Sequence, residues 1–297
     1  MTPTLTLEIE EEIVIVPRPP SGRSWALLFV ICGLLLFSLA ALQVISFVEY
    51  ERSQRYLTAL IDRIASPSLP PSQQAIAIVE YLRNKSDRSN RQSFLLPIFS
   101  VLRPTAKEVA TGGGDCADQS RFTIVLLKLR NIQAQKWALY DPHLKPHHAV
   151  VELISERGKM VIDPLFGMWF PRPDGGYYDI ESLRRNREIL RQRVQELTAN
   201  STETEPATDG YHVRIREYPL KSYIYTNART INWDKSLVMR LSYRLLHFSI
   251  GDLANHVPRP DFVEQPALMV IYGAIIPEVC ILIVLIGAVR RWRRQSL

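Results

Sequence analysis

A cysteine, a histidine and an aspartate in this chain can do covalent chemistry together if the fold unites them. Of its three cysteines, Cys32 and Cys280 lie inside long apolar stretches, which leaves Cys116 as the thiol of the water-soluble part. Cys116 stands in GGGDCADQSRFTIVLLKLR, directly after Gly112, Gly113, Gly114 and Asp115, at the head of an amphipathic helical pattern. The nucleophilic form of cysteine is the thiolate, which a helix N-terminus and a neighbouring imidazolium both favour. Glycines allow backbone turns closed to other residues and let a substrate backbone approach the sulfur. Free N–H groups of a first helical turn point toward the oxyanion that attack on a carbonyl creates. Asp115 and Asp118 oppose thiolate formation, but Asp115 can cap the helix and is then partly neutralised by the N–H groups it accepts. The competing role for a lone cysteine is that of a small buried hydrophobe.

The imidazole is sought in HHAVVE. On a strand, His148, Val150 and Glu152 share one face and His147, Ala149 and Val151 the other, so only one of the two histidines faces the cysteine. The midpoint between His148 and Asp163 falls between Ser155 and Glu156, inside the turn SERG. An antiparallel hairpin folded there brings His148 and Asp163 to the same end, where a carboxylate fixes the imidazole tautomer and stabilises its charged form. His147 and His143 compete with His148, and Asp141, which also precedes a proline, competes with Asp163. Metal binding by HLKPHH with Cys116 is a rival chemistry, but Pro146 separates His143 from His147, so they do not share a helix face. No metal and no organic cofactor is expected. The glycine run also lacks the lysine of a phosphate loop and the glycine spacing of a dinucleotide site.

The elements that must position these residues are legible around them. A helix is expected over roughly 116–130, with Phe122, Val125, Leu126 and Leu129 as its buried stripe and Asn131 at the left-handed position after it. AQKWALYD, HHAVVELI and GKMVIDPL read as strands. Upstream, EYERSQRYLTALIDRIA reads as a helix that SPSLPPS ends, and Ser72 is a candidate N-cap for QQAIAIVEYLRNK, with Ile76, Val79 and Leu82 at helical spacing. Downstream, DIESLRRNREILRQRVQEL reads as one charged helix capped by Asp179, TANSTETEPATDG as a polar loop and HVRIREYPL as a strand. DKSLVMRLSYRLLHFSI is amphipathic and cationic; it fits an anionic membrane surface or the side of the domain equally well.

GDCADQSRFTIVLLKLRNI, then HAVVE, then VIDP, resembles the transglutaminase-like superfamily, over roughly residues 72–170. That family pairs a Cys at the start of a core helix with a strand beginning His-Ala and a strand ending Asp-Pro. The resemblance implies an α+β, papain-like fold with a core helix and an antiparallel sheet. It implies a nucleophile at Cys116, a general base and acid at His148 and an orienting carboxylate at Asp163. The tryptophan usual after His-Ala is Val150 here, and the glycine usual before the isoleucine is Asn131, which tolerates the same left-handed conformation. No oxyanion-hole side chain upstream of the cysteine can be assigned. Bacterial members with this arrangement look more like peptidases or amidases than cross-linkers.

Two stretches bracket this region. Trp25 to Val48 carries no charge, and Pro266 to Val289 carries one, Glu278. Each is long enough to span a bilayer. Net charge is +6 with 46% apolar residues, and Arg290, Arg291, Arg293 and Arg294 supply much of the excess. Absent any RNA or DNA motif, this is read as membrane-flanking charge, with no nucleic acid partner. The arginines place the C-terminus in the cytoplasm; two spans then place the N-terminus there, with Arg18 and Arg23, although Arg52 and Arg55 argue weakly the other way. The expected order is a tail (1–24), a first span (25–48), a juxtamembrane helix and linker (49–71), the transglutaminase-like domain (72–185), a helical extension (186–265), a second span (266–289) and a basic tail (290–297). The middle would face the periplasm or cell exterior, where a peptide or protein substrate at the outer membrane face is the expected partner. Glu278 is a candidate contact for a membrane protein; its other reading is a protonated side chain bonded to backbone freed by Pro277, or to Gln43 or Ser38. A catalytically dead scaffold within a membrane assembly is the alternative to an enzyme.

Overall fold

The structure is a computed structural model that describes residues 22–83, 85, 104–140, 143, 145–199, 224–231, 233 and 237–296. The chain divides into two compact units, Gln43–Tyr272 and Met1–Leu42 with Gly273–Leu297.

The larger unit is α+β and is built on a five-stranded antiparallel sheet. Its elements run from the second half of α1 (Gly22–Ile64) through α2 (Pro71–Arg83), α3 (Ala106–Gly112) and α4 (Cys116–Leu129) to β1 (Ala134–Tyr140), β2 (Pro146–Ser155), β3 (Gly158–Asp163) and β4 (Met168–Trp169). Then follow α5 (Ile180–Arg185), α6 (Glu188–Ala199), β5 (Ile224–Arg229) and α7 (Leu237–Ile250). The strand order is β4-β3-β2-β1-β5. One core joins Val151, Leu153, Met160 and Ile162 of the sheet to α4, α2 and the end of α1. A second joins Trp137, Leu139, Val150 and Val161 to Phe166, Phe170 and the inner faces of α5 and α6. The strand period of two explains this split, since alternate side chains serve alternate cores. Helix α4 is buried continuously from Asp118 to Leu127 rather than along one stripe, and Leu129 is only half-buried, because the helix has neighbours all round.

The structure departs from the sequence reading at several points. Helix α1 continues past Val48, as EYERSQRYLTALIDRIA predicts, but this part is not merely juxtamembrane. It runs to Ile64, and its Leu57, Leu60 and Ile61 are buried in the first core, so α1 also packs into the domain expected over 72–185. Helix α2 starts at Pro71, whose fixed φ and missing N–H suit a first helical position. Ser72 is therefore not the cap but lies within the first turn. Its N–H and hydroxyl both donate to the carboxylate of Glu156, at 3.1 and 2.5 Å, from the turn between β2 and β3. Helix α3 was not expected; Thr105 and Glu108 form its capping box. The long charged helix is two helices, because Asn186 leaves the helical conformation and accepts the N–H of Glu188. The region after 186 is not a mere extension: α6 buries Leu190 and Val194 in the second core, and β5 is the fifth strand. The segments LTLEIEEEIVIV, SDRSNRQS, FLLPIFSVL and HVRIREYPL lie outside the described residues, as does most of TANSTETEPATDG.

The smaller unit contains α1 as far as Leu42 and most of α8 (Pro266–Ser296). Both helices are long and apolar enough to cross a membrane. Phe37 is 74% exposed and Ile276 71%, a surface suited to hydrocarbon rather than to water. Glu278 follows Pro277 within α8. The Ser38 hydroxyl donates to Leu34 O at 2.8 Å; within the larger unit, Gln43 Nε2 donates to Ile271 O at 3.2 Å.

Candidate active site

Cys116 is the first residue of α4, as its position after the glycines predicts. Asp115 caps the helix: its Oδ1 accepts the N–H of Ala117 and of Asp118, each at 2.9 Å. The N–H of Gln119 goes to Asp115 O at 2.9 Å. The N–H of Cys116 itself belongs to this first turn and lies beside its own sulfur. The glycines earn their places differently. Gly112 closes α3, Gly113 has φ 79°, and a Cβ on Gly114 would stand 2.6 Å from Asp118 Cβ. Gln119 Nε2 donates to Gly114 O at 2.9 Å and fastens this loop to the helix it precedes.

The far end of α4 is closed as expected. Asn131 has φ 56°, and the N–H of Ile132 returns to Leu127 O at 2.9 Å. This Schellman closure turns the chain directly into β1. At the near end, the Ser120 hydroxyl donates to Ala149 O at 3.2 Å. That bond ties the first turns of α4 to β2, one residue from His148.

His148 is the buried histidine of the three in this segment, its side chain 2% exposed, whereas His143 and His147 lie at the surface. The hairpin register pairs Ser155 with Gly158 and Val151 with Ile162. One further step sets Asp163 opposite Val150, so Asp163 and His148 share a face as diagonal neighbours. His148 Nε2 and Asp163 Oδ2 are 2.7 Å apart, and both side chains are buried. Asp163 Oδ1 accepts the N–H of Phe166 at 3.2 Å. The Phe166 ring then meets the imidazole edge-on, with centroids 5.4 Å apart.

The Cys116 thiol lies beside the same imidazole and helps to raise its pKa. Burial pushes the His148 pKa down, but the charge and hydrogen bond of Asp163, with a smaller contribution from Cys116, outweigh it and carry the value up to about 10. The three residues singled out from the sequence are therefore one connected chain of side chains. Asp141, the rival carboxylate, lies outside the described residues.

Sequence reasoning did not identify Phe166, Ser120 or Gln119, which hold the imidazole, the helix and the glycine loop. Phe166 had a signal in its position, three residues after Asp163 in the turn that closes β3. Val150, where the resemblance leads one to expect tryptophan, is fully buried directly opposite Trp137 on β1. The Trp137 indole donates to Glu152, the next residue along that face, at 3.3 Å. Among the described residues no group of three His, Cys, Asp or Glu side chains is arranged to hold a metal ion.

Comparison with known proteins finds no matching family model, no matching curated sequence and no matching solved structure.

Proposed function

We propose that this chain is a membrane-anchored cysteine enzyme that transfers the acyl group of an amide, with a papain-like, transglutaminase-like domain as its catalytic part. The observation that carries the proposal is the continuous contact from Cys116 through His148 to Asp163 at the N-terminus of a buried helix. A sulfur, an imidazole and a carboxylate in that order serve nucleophilic catalysis, and burial of the last two keeps water from competing for their hydrogen bonds.

In the proposed reaction the Cys116 thiolate attacks the amide carbonyl carbon. The C–S bond forms and the carbonyl π electrons move onto oxygen, near the N–H of Cys116. Collapse of this intermediate breaks the C–N bond, and His148 gives its proton to the departing amine. The resulting thioester is attacked by water, whose proton passes to His148. The C–S bond then breaks and releases the carboxylic acid. An amine in place of water gives transamidation. Asp163 holds the imidazole in one tautomer throughout. Trp137 fills the space beside Val150 and maintains packing there without the usual tryptophan.

The substrate class is a peptide or protein presented at the outer face of the membrane. Both ends of the chain would lie in the cytoplasm and residues between the spans outside it, from the arginines after the second span.

Acylation tests the chemistry. The full-length protein in detergent is mixed with an activated ester and the Cys116 peptide is followed by mass spectrometry. An acyl adduct on Cys116, cleaved by neutral hydroxylamine and lost in His148→Ala, is the expected result. Acylation no faster than that of a free thiol leaves the domain as a scaffold and overturns the proposal.

A further inference from the structure

We propose that α7 docks on the lipid headgroup region of an anionic membrane, apolar face inward. The argument starts from its sequence, LVMRLSYRLLHFSI. At 100° per residue, Leu237, Leu241, Leu245 and Phe248 fall within one quarter of the helix circumference. In a water-soluble domain such a stripe faces the core. Here Leu237 is 66% exposed, Leu245 70% and Phe248 92%. Leu253, in the 3₁₀ turn that follows, is 68% exposed.

The stripe is not turned outward by accident of a loose helix, because the opposite face is fastened. Tyr243 stacks near Trp233, with centroids 5.7 Å apart, and its hydroxyl donates to Asn255 Oδ1 at 3.0 Å. Arg229 of β5 lies over Tyr243 on one side and over Tyr140 of β1 on the other, 4.6 and 4.9 Å from the ring centroids. Thr230 donates its N–H to Asn255 O at 3.0 Å and its hydroxyl to Val257 O at 2.6 Å. These bonds tie α7 and the following turn to the edge of the sheet. Among the described residues, the apolar stripe is left uncovered.

Charge selects the occupant. Arg240 and Arg244, both exposed, flank the stripe on one side, and Ser242 and Ser249 on the other. An exposed apolar face bordered by arginines is the pattern of a helix lying in a membrane interface. The arginines suit anionic headgroups. The same chain carries two helices able to cross a bilayer, one beginning at Pro266 soon after α7, so a membrane surface is always within reach. This inference rests on those spans and on α7, not on the chemistry of Cys116, so its failure leaves the acyl-transfer reading standing.

The test uses the full-length chain in nanodiscs, with Cys32, Cys116 and Cys280 replaced by alanine and a spin label at Phe248→Cys, Leu245→Cys or Ser242→Cys. Collision with oxygen is compared with collision with a water-soluble nickel chelate. In discs of mixed phosphatidylcholine and phosphatidylglycerol, labels at 248 and 245 should be protected from nickel and open to oxygen, and the label at 242 the reverse. The pair Arg240→Glu with Arg244→Glu should weaken that protection, on the order of fivefold per arginine. Labels at 248 and 245 as open to nickel as the label at 242 overturn the proposal. So does protection that is the same in phosphatidylcholine alone. Spin–spin broadening that disappears on dilution with unlabelled protein identifies a second copy as the occupant and overturns it too.

Discussion

Asp163 Oδ2 stands 2.7 Å from His148 Nε2, and the Cys116 thiol lies beside the same imidazole. The carboxylate therefore does two things. It orients the ring toward the sulfur, and it offsets the cost of keeping a buried imidazolium.

Asp163→Asn removes the charge and keeps the shape. The amide can still bond Nε2, but it also tolerates the wrong tautomer. Acylation of Cys116 by an activated ester is expected to slow by about 10²–10⁴-fold, with the fold retained by circular dichroism. Unchanged acylation would remove Asp163 from the mechanism.

The pH dependence of stability follows from the same pair. The folded value for His148 is raised to about 10 from an ordinary 6.5. The folded state thus binds a proton more tightly than the unfolded chain. The resulting stabilisation is fully present below about pH 6.5 and is lost as pH rises through about 10. Urea midpoints of the protein in detergent should fall across that window, and Asp163→Asn should flatten the fall. A midpoint that rises between pH 7 and 10 contradicts the assignment.

Gly114→Ala places a methyl group against Asp118 Cβ, 2.6 Å away before relaxation. That neighbour is not the end of a flexible chain, so backbone must move. A loss of about 1–3 kcal/mol is expected, as for other overpacked sites. Because the strain falls two residues before Cys116, reactivity of the thiol should fall with stability. Gly158→Ala meets no neighbour but has φ 102°, so it should cost stability and spare reactivity.

The Ser72 contact with Glu156 links the start of α2 to the tip of the β2–β3 hairpin. Ser72→Ala deletes one hydrogen bond to a carboxylate. It should lower stability by about 1–2 kcal/mol and leave Cys116 acylation unchanged.

How far the sequence could be read differs by element for physical reasons. Helix α4 was legible from both ends, because a capping aspartate and a left-handed asparagine are local signals that its own backbone enforces. The β2–β3 hairpin was legible because strand alternation fixes which residues share a face, and an error of a residue in the turn leaves Asp163 beside His148. The burial of the helix after Val48 was not. EYERSQRYLTALIDRIA is charged enough to read as juxtamembrane, and only tertiary contact shows that its Leu57, Leu60 and Ile61 belong to the domain core. Ser72 misled because it is a good cap by type, while Pro71 and a distant Glu156 take that task. Phe166 was missed because a single phenylalanine in a turn carries no periodicity.

The central claim is that Cys116 is a reactive nucleophile paired with His148. Its most direct test is the rate of Cys116 alkylation by iodoacetamide in the full-length protein at pH about 6, read by peptide mass spectrometry against free cysteine. The account predicts a rate well above that of the free amino acid, falling toward it in His148→Ala. A rate equal to or below free cysteine at that pH, unchanged by His148→Ala, would contradict it.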